Sequence, residues 1–492
     1  MLSAFRRVLK RWLPPTVRDV LKARLPSSVK KMIATQPNET IVSLYQWNFD
    51  RAKEAYKALN SDLALSHLQA CIETNPDDWF MWHFRGIVYL QLVGNLNEAV
   101  RQFSEALKIR ERLYIPESGV LPYRFLDSFW GYQIGHIANM EHLIKREILQ
   151  GRDPKRLILL FPAGEKAGNR LLLKKMSDFI TVVGDERKLP APKFNMNSVM
   201  EEYYVCKSID GRLKHWWHAS PEIFNVWERT GRKPLLTLTP SETKQGRKLL
   251  HRLGLPDDAW FVSLHVRESG FKQDQGYSAV EAVLNADIET YTEAMESVAD
   301  RGGWVIRIGD ERMRPLPPMR NVIDYACSSH KSEAADVFLL GGCRFFIGTS
   351  SGPAYVPPLF GIPCVLTNWA PTGQRPFNER DLYILKVYDE PLQIADKVVS
   401  RPMKFSEFLS PPIGYAANCE HAQSLKVVAN SPAEICEVVV EMLDRLDGHI
   451  NSTTSDEKLQ TKFDQIAEAN ECIGNARVGT DFLRRHVARL ER

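Results

Sequence analysis

Arg344-Phe-Phe-Ile-Gly-Thr-Ser-Ser-Gly-Pro353 carries the clearest fold signal in the sequence. An apolar run, Phe345 to Ile347, stops at Gly348 and gives way to the hydroxyl residues Thr349, Ser350 and Ser351. Gly352 and Pro353 follow, and a hydroxyl N-cap with proline at the first helical position is a helix-start signal. The stretch therefore reads as strand, turn, helix. N–H groups and hydroxyls at such a turn can hold a phosphate, although an ordinary capped helix has the same pattern. Trp304-Val-Ile-Arg-Ile-Gly-Asp310 is a second strand and turn of the same kind.

Working outward, the same rhythm recurs. Pro240 starts a helix that Gly254 ends, and Trp260 to Arg267 is a strand with a polar exit of His265, Arg267, Glu268, Ser269 and Gly270. Asp287 caps a helix bearing Ile288, Tyr291, Met295 and Val298, closed at Gly302-Gly303. A Val322–Ala326 strand, a Lys331–Leu340 helix, a Pro353–Phe360 helix and an Ile362–Leu366 strand complete a doubly wound unit. Upstream, Ile137 to Leu149 reads as a helix, Arg156 to Phe161 as a strand covered on both faces, Pro162 to Gly168 as a loop and Leu171 to Ile180 as a helix. His136, just after Gly135, then lies where ligands bind in such sheets, and a buried structural histidine reads equally well. Lys188 to Pro234, with His215, Trp216, Trp217 and His218, reads as a loop-rich connection.

At 492 residues the chain exceeds one core, so two or three domains are expected. With 44% hydrophobic and 25% charged residues it has an ordinary globular composition, and a net charge of +4 does not by itself point to nucleic acid. The eight cysteines are scattered without a CxxC pair, which fits a reducing compartment rather than a disulfide scaffold or zinc site. No apolar run approaches the roughly 18–20 residues of a membrane span, and the N-terminus lacks the apolar core of a signal peptide. These features predict a cytoplasmic location. Residues 1–31 carry nine basic side chains against Asp19, interleaved with Leu2, Phe5, Val8, Leu9, Trp12 and Leu13. This reads either as a solvated arm or as a basic amphipathic segment placing the protein peripherally at the inner face of a membrane.

Between Leu44 and Leu113 the chain has a self-similarity of about 34 residues. Ala64, Leu68, Cys71 and Pro76 are followed by Trp82, Gly86 and Tyr89, then by Ala99, Phe103 and Ala106 displaced by one residue, which places an insertion at Val93-Gly94. This resembles two tetratricopeptide units, too few to stand alone, so they are expected to pack on the following domain as a partner-docking site or a brace.

Neither alternating half carries GxGxxG or GxxxxGK[ST], which disfavours a nicotinamide dehydrogenase and a P-loop kinase. Without HExxH, HxH or DxD patterns, phosphate charge would be managed by arginine, helix ends and hydroxyls, with no metal or cofactor. His265-Val-Arg267 resembles the H-x-R motif of the α-1,6- and protein O-fucosyltransferase-like enzymes. With IGH at Ile134, HVRESG, NADIETY, GGWVIRIGD, IDYA, KSEAADVFLLGGCRFFIGTSSG and FGIPCVLTNW, the chain is similar to a bacterial family of glycosyltransferases over Gly131 to Trp369. The resemblance implies the GT-B fold, an α/β architecture of two facing Rossmann-like domains. Residues 1–40 would be the arm, 41–117 the helical region, 118–238 the acceptor domain, 239–450 the sugar-nucleotide domain and 451–492 a helical tail.

It further implies that Arg267 neutralises a departing diphosphate, with Thr349, Ser350, Ser351 and the Gly352 N–H around the other phosphate oxygens. His265 would lie beside the nucleotide, and Asp324 would contact the base, where a carboxylate suits the guanine of a GDP-sugar. Glu268 and Asp274 are the nearest carboxylates for a general base, and His136 is the candidate from the facing half; the lysine and glutamate that follow the motif in fucosyltransferases have no counterpart here. Arg267 as a surface ion pair, Asp324 as a turn cap and His265 as a core residue are the structural alternatives. The leading expectation is an inverting, metal-independent transfer of sugar to a hydroxyl acceptor in cell-surface glycan synthesis. A non-catalytic tetratricopeptide scaffold on a degenerate transferase fold, and a sugar-nucleotide epimerase, are the competitors.

Overall fold

The computed structural model describes residues 37–114, 123–162, 164–184, 204–268, 283–394, 397–415, 424–449 and 452–491. The basic segment 1–31 and Ser269, Gly270 and Asp274 lie outside the described residues.

The described residues begin with four helices, α1 (Pro37–Lys57), α2 (Ser61–Thr74), α3 (Trp79–Val88) and α4 (Leu96–Tyr114). Side chains cap them: Asn60 accepts from Leu63 N, Asp78 from Phe80 N and Asn95 from Glu98 N. Crossings are close where residues are small; a Cβ on Gly86 would stand 2.7 Å from the Phe103 ring. The one-residue displacement has a structural counterpart. Tyr89–Val93 is a π turn ending at Gly94 (φ +71°), and an i→i+5 turn absorbs one extra residue without breaking the helix pair. A Cβ on Gly94 would meet Pro412 Cα at 2.5 Å, and Leu90, Leu96, Ala99 and Phe103 share a core with Val205 and Tyr415. The helices are thus docked on both of the following halves.

The first α/β half is small. Strands β1 (Arg124–Leu126), β2 (Leu157–Leu160) and β3 (Thr181–Val183) form a parallel sheet in that order. Helices α5 (Ile134–Leu149) and α6 (Arg170–Met176) connect them. Strands β4 (Val205–Lys207) and β5 (Leu213–His215) pair antiparallel and lead into helix α7 (Trp216–Arg229). That helix replaces part of the expected loop-rich connection. Its aromatic run and internal Pro221 disguise the helical period, since proline removes a backbone donor.

The second half holds helix α8 (Pro240–Arg252), β6 (Phe261–His265), α9 (Thr292–Asp300), β7 (Trp304–Arg307), β8 (Val322–Asp324), α10 (Glu333–Gly342), β9 (Phe346–Gly348), α11 (Val356–Leu359), β10 (Cys364–Trp369) and β11 (Leu382–Leu385). An antiparallel group follows, β12 (Val387–Ile394), β13 (Lys397–Pro402) and β14 (Lys426–Val428). Helices α12 (Pro432–Leu446) and α13 (Thr454–Ala469), strand β15 (Arg477–Val478) and helix α14 (Thr480–Arg485) complete it. The large sheet has seven strands in the order β15-β11-β10-β9-β6-β7-β8. All six adjacent pairs in it are parallel. The sequence of the tail gave no sign that it would supply an edge strand of this sheet.

Strands β6, β9 and β10 are buried at every position, as the continuous apolar runs of a doubly covered parallel sheet require. One apolar core runs from Leu126 through Leu490, so the halves share it. The overall class is mixed α/β with a large parallel sheet. The expected helix over 353–360 is instead a 3-10 turn, Gly352–Tyr355, followed by the four-residue α11. Pro357 and Pro358 inside α11 withhold two donors, and a segment this short has little macrodipole.

Candidate functional site

Chain order along the large sheet runs β6, β7, β8 to one side and β9, β10, β11 to the other, so the direction of winding reverses between β6 and β9. Open parallel sheets bind ligands beyond the carboxyl ends of the strands at such a switch point. Here His265, the last residue of β6, is in register with Gly348, the last of β9. The polar exits of both strands therefore meet.

Three hydrogen bonds join them. Thr349 N donates to His265 O (3.3 Å), Arg267 N donates to Thr349 Oγ1 (3.1 Å), and Ser351 Oγ lies 3.0 Å from His265 Nδ1. Ser351 Oγ also donates to Thr349 O at 3.2 Å. Its one proton being used there, the Ser351 oxygen accepts from His265 Nδ1–H, which leaves Nε2 of the ring as the acceptor. Ser351 thus does not cap the following turn; its hydroxyl belongs to the histidine. Ser350 Oγ accepts from Ala370 N at 3.1 Å, tying the loop to the exit of β10. Burial, followed by the charges of Arg307, Arg267 and Lys331, holds His265 down at a pKa of about 3. The imidazole is neutral at physiological pH.

Arg307, fully buried at the end of β7, was not anticipated, and it dominates the electrostatics of this layer. Its guanidinium donates to Arg314 O (2.7 Å), to both oxygens of Asp324 (3.2 and 3.1 Å) and to Glu268 Oε2 (2.6 Å). Asp324 also accepts from Leu316 N at 2.9 Å. These bonds leave a carboxylate at most one unused lone-pair site, fewer than the two-bond guanine reading requires. Burial raises the pKa of Glu268, with Arg307 and Arg314 opposing. Lys331 donates to Gly309 O beside the same strand ends. The signal for Arg307 was in the sequence: a charged residue interrupting the apolar run Trp304-Val-Ile of a doubly covered strand must have buried partners.

The facing half reaches this loop through the first turn of α5. An ideal Cβ on Gly135 would stand 2.6 Å from Gly352 Cα, so two backbones touch with no room for a side chain. Gly168 packs equally tightly behind, where a Cβ would stand 2.4 Å from Ile134 N. His136 is partly exposed; its Nδ1 lies 3.0 Å from Phe129 O and its ring packs on Phe129 at 4.2 Å. The structure therefore brings together His265, Arg267, Glu268, Thr349, Ser350, Ser351 and Gly352. It sets Asp324 one strand further on, behind Arg307, and His136 on the facing half.

Among the described residues no helix is long and apolar enough to cross a membrane. No protein-family model and no curated protein matches the chain. Among solved structures it is similar to a glycosyl transferase family 9 protein from Veillonella parvula, with 12% identity and a TM-score of 0.32 over 55% of this chain and 89% of that one. It is also similar to the dodecameric iron-containing heptosyltransferase TibC, solved in complex with ADP-D-β-D-heptose. That likeness has 12% identity and a TM-score of 0.28 over 51% of this chain and 59% of that one. Likenesses this distant fix neither activity nor substrate.

Proposed function

We propose that the chain is a glycosyltransferase of GT-B type that moves a sugar from a nucleoside diphosphate to an acceptor hydroxyl, with inversion and without a metal. The observation that carries this reading is the convergence of Arg267, Ser350, Ser351 and Gly352 at the switch point of the large sheet, directly under the first turn of α5. Arg267, Arg307 and Lys331 bring three positive charges to this layer, against the two carboxylates Glu268 and Asp324. Lys331 is itself offset by Asp310 and Asp336, and the positive charge of Arg267 lies where a diphosphate would gain charge as it leaves.

In this reading Arg267 offers the leaving diphosphate a bidentate guanidinium, while the Ser350 hydroxyl and the Gly352 N–H hold its remaining oxygens and Ser351, bonded to Thr349 O and His265, shapes the loop. Neutral His265 fixes Ser351 and lies beside the nucleotide. Glu268, raised by burial, takes the proton of the acceptor hydroxyl. The sugar's anomeric carbon loses its bond to the diphosphate and gains one to the acceptor oxygen from the opposite face. Asp324 contributes through Arg307 more than through the base. The acceptor enters from the α5 side, past His136.

The test is a thermal-shift screen of the full chain with GDP, UDP, CDP and ADP, each with and without EDTA. A ligand at a hundred times its Kd stabilises by about 2.7 kcal/mol. One diphosphate is expected to raise Tm by several degrees and to do so equally with chelator. A flat response to all four would refute the reading.

A further inference from the structure

Behind the Gly135–Gly352 contact, the seam between the two halves holds a partly open cavity of about 30 Å3. Glu141 and His142 on α5 and Ser220 on α7 face it from one half, and Tyr355, Asn378 and Asp381 from the other. Glu141, His142, Ser220 and Asp381 are all buried, with Ser220 at 0% exposure. Ser220 Oγ and Glu141 Oε1 have no hydrogen-bond partner among the described residues. Lys145 Nζ lies 2.9 Å from Glu141 Oε1, an ion pair off the hydrogen-bonding direction. A buried hydroxyl left without a partner, as Ser220 Oγ is here, is destabilising until something satisfies it, whereas Glu141 Oε1 keeps its ion pair with Lys145. A buried water needs about 10–15 Å3 and two to four polar partners, so this space suits two waters.

Asp381, in the same wall, is an unusual carboxyl. Its Oδ1 accepts from Cys364 N at 2.8 Å and its Oδ2 from Asn378 Nδ2 at 3.1 Å. Burial pushes its pKa up to about 7, Asn378, Cys364 N and Arg380 pull it down, and Glu141 pushes it up. The charged or titratable groups around it are Glu379 and Arg380 on its own segment, the Cys364 thiol on β10, Glu141, His142 and Lys145 on α5, and Glu228 on α7. A second void of about 20 Å3 shares Asn378 and Asp381 with the first and is bounded by exposed Glu379 and Arg380, a short route for a proton.

We propose that this cavity binds ordered water and one exchangeable proton on Asp381, and that the proton latches the two halves together across the seam. With the proton on, Glu141 and Lys145 face a neutral wall. With it off, the Asp381 carboxylate faces Glu141, whose own pKa burial also pushes up, across the two waters, and parting the halves exposes both to more water. The latch is independent of the transferase reading, because it concerns the seam and not the chemistry at β6 and β9.

The sign follows from linkage. A carboxyl raised in the closed state and ordinary in the open state releases its proton on opening. Opening is therefore favoured as pH rises from about 4 to about 7, by up to about tenfold per pH unit, and is constant above that window. Hydrogen exchange of the α5 segment 134–149 in the full chain, corrected for the intrinsic rate and followed from pH 5 to 8.5, reads this directly. Wild type is expected to lose protection up to about pH 7 and then level off, while Asp381→Asn gives a flat profile. Asp381→Asn retaining the wild-type profile, or a flat wild-type profile, would overturn the latch. Should Asp381→Asn fail to fold, Glu141→Gln is expected to move the break to lower pH, and an unmoved break overturns it equally. For the water, Ser220→Ala is expected to lower the urea midpoint by removing a partner; a raised midpoint would show that the hydroxyl was unbonded and overturn that part.

Discussion

Replacing Gly135 by alanine probes a place where the halves touch backbone to backbone. The new Cβ would stand 2.6 Å from Gly352 Cα and 3.3 Å from Gly352 O. Carbon atoms pack at about 3.5–4.0 Å, so the two turns must part by about 1 Å, and neither wall is a side chain that can rotate away. Overpacking of this kind costs about 1–3 kcal/mol, against which alanine's better helix propensity offsets at most about 1 kcal/mol. The larger effect is on the site, because Gly352 follows directly on Ser350 and Ser351. A misplacement of about 1 Å costs reactions on the order of a hundredfold. Urea denaturation and titration with the stabilising diphosphate measure the two effects separately. Gly246→Ala is the control: its Cβ would stand 2.1 Å from the Phe338 ring, a clash between α8 and α10 that involves none of the site residues. Both variants are expected to lose stability, and only Gly135→Ala to lose ligand affinity. Wild-type affinity in Gly135→Ala, or an equal loss in Gly246→Ala, would refute the account of the seam.

Arg307→Met leaves Glu268 and Asp324 without their guanidinium, and removing one partner of a buried pair costs about 3–5 kcal/mol; a urea midpoint within error of wild type would show the cluster to be dispensable. His265, ordinary when unfolded and held near 3 when folded, contributes stability that is present above about pH 6.5 and is lost as pH falls toward 3. The stability difference between wild type and His265→Asn should therefore shrink from pH 7 to pH 5, and a constant difference contradicts the neutral ring. Ser350→Ala removes the acceptor of Ala370 N and is expected to cost about 1 kcal/mol while weakening diphosphate binding, read by the same two assays.

Much of the second half was legible because its strands are sheathed on both faces, and such strands write themselves as unbroken apolar runs ending in glycine or polar residues. Trp304–Arg307 and Phe346–Gly348 fall within one residue of their sequence ranges. Strand β10 continues to Trp369 instead of stopping at Leu366, because a register shift and a left-handed Asn368 (φ +50°) carry it over polar residues that conceal the strand. The α7 helix and strand β15 were not legible: Pro221 and an aromatic run mask the first, and the second is two residues paired only through tertiary structure. The site was readable as residues and not as wiring. Spacing could place Arg267 and Ser351 at strand ends, but that Ser351 serves His265, and that Asp324 and Glu268 share Arg307, depends on strands remote in sequence.

The central claim is that Arg267 neutralises a leaving diphosphate at the meeting of β6 and β9. Its most direct measurement is single-turnover sugar transfer by Arg267→Ala, using the nucleotide sugar selected by the diphosphate screen, alongside its urea midpoint. A fall in the rate of transfer of at least about a hundredfold is expected, the scale set by loss of one charge-stabilising donor, with the fold retained. Undiminished turnover in a folded Arg267→Ala protein would contradict it.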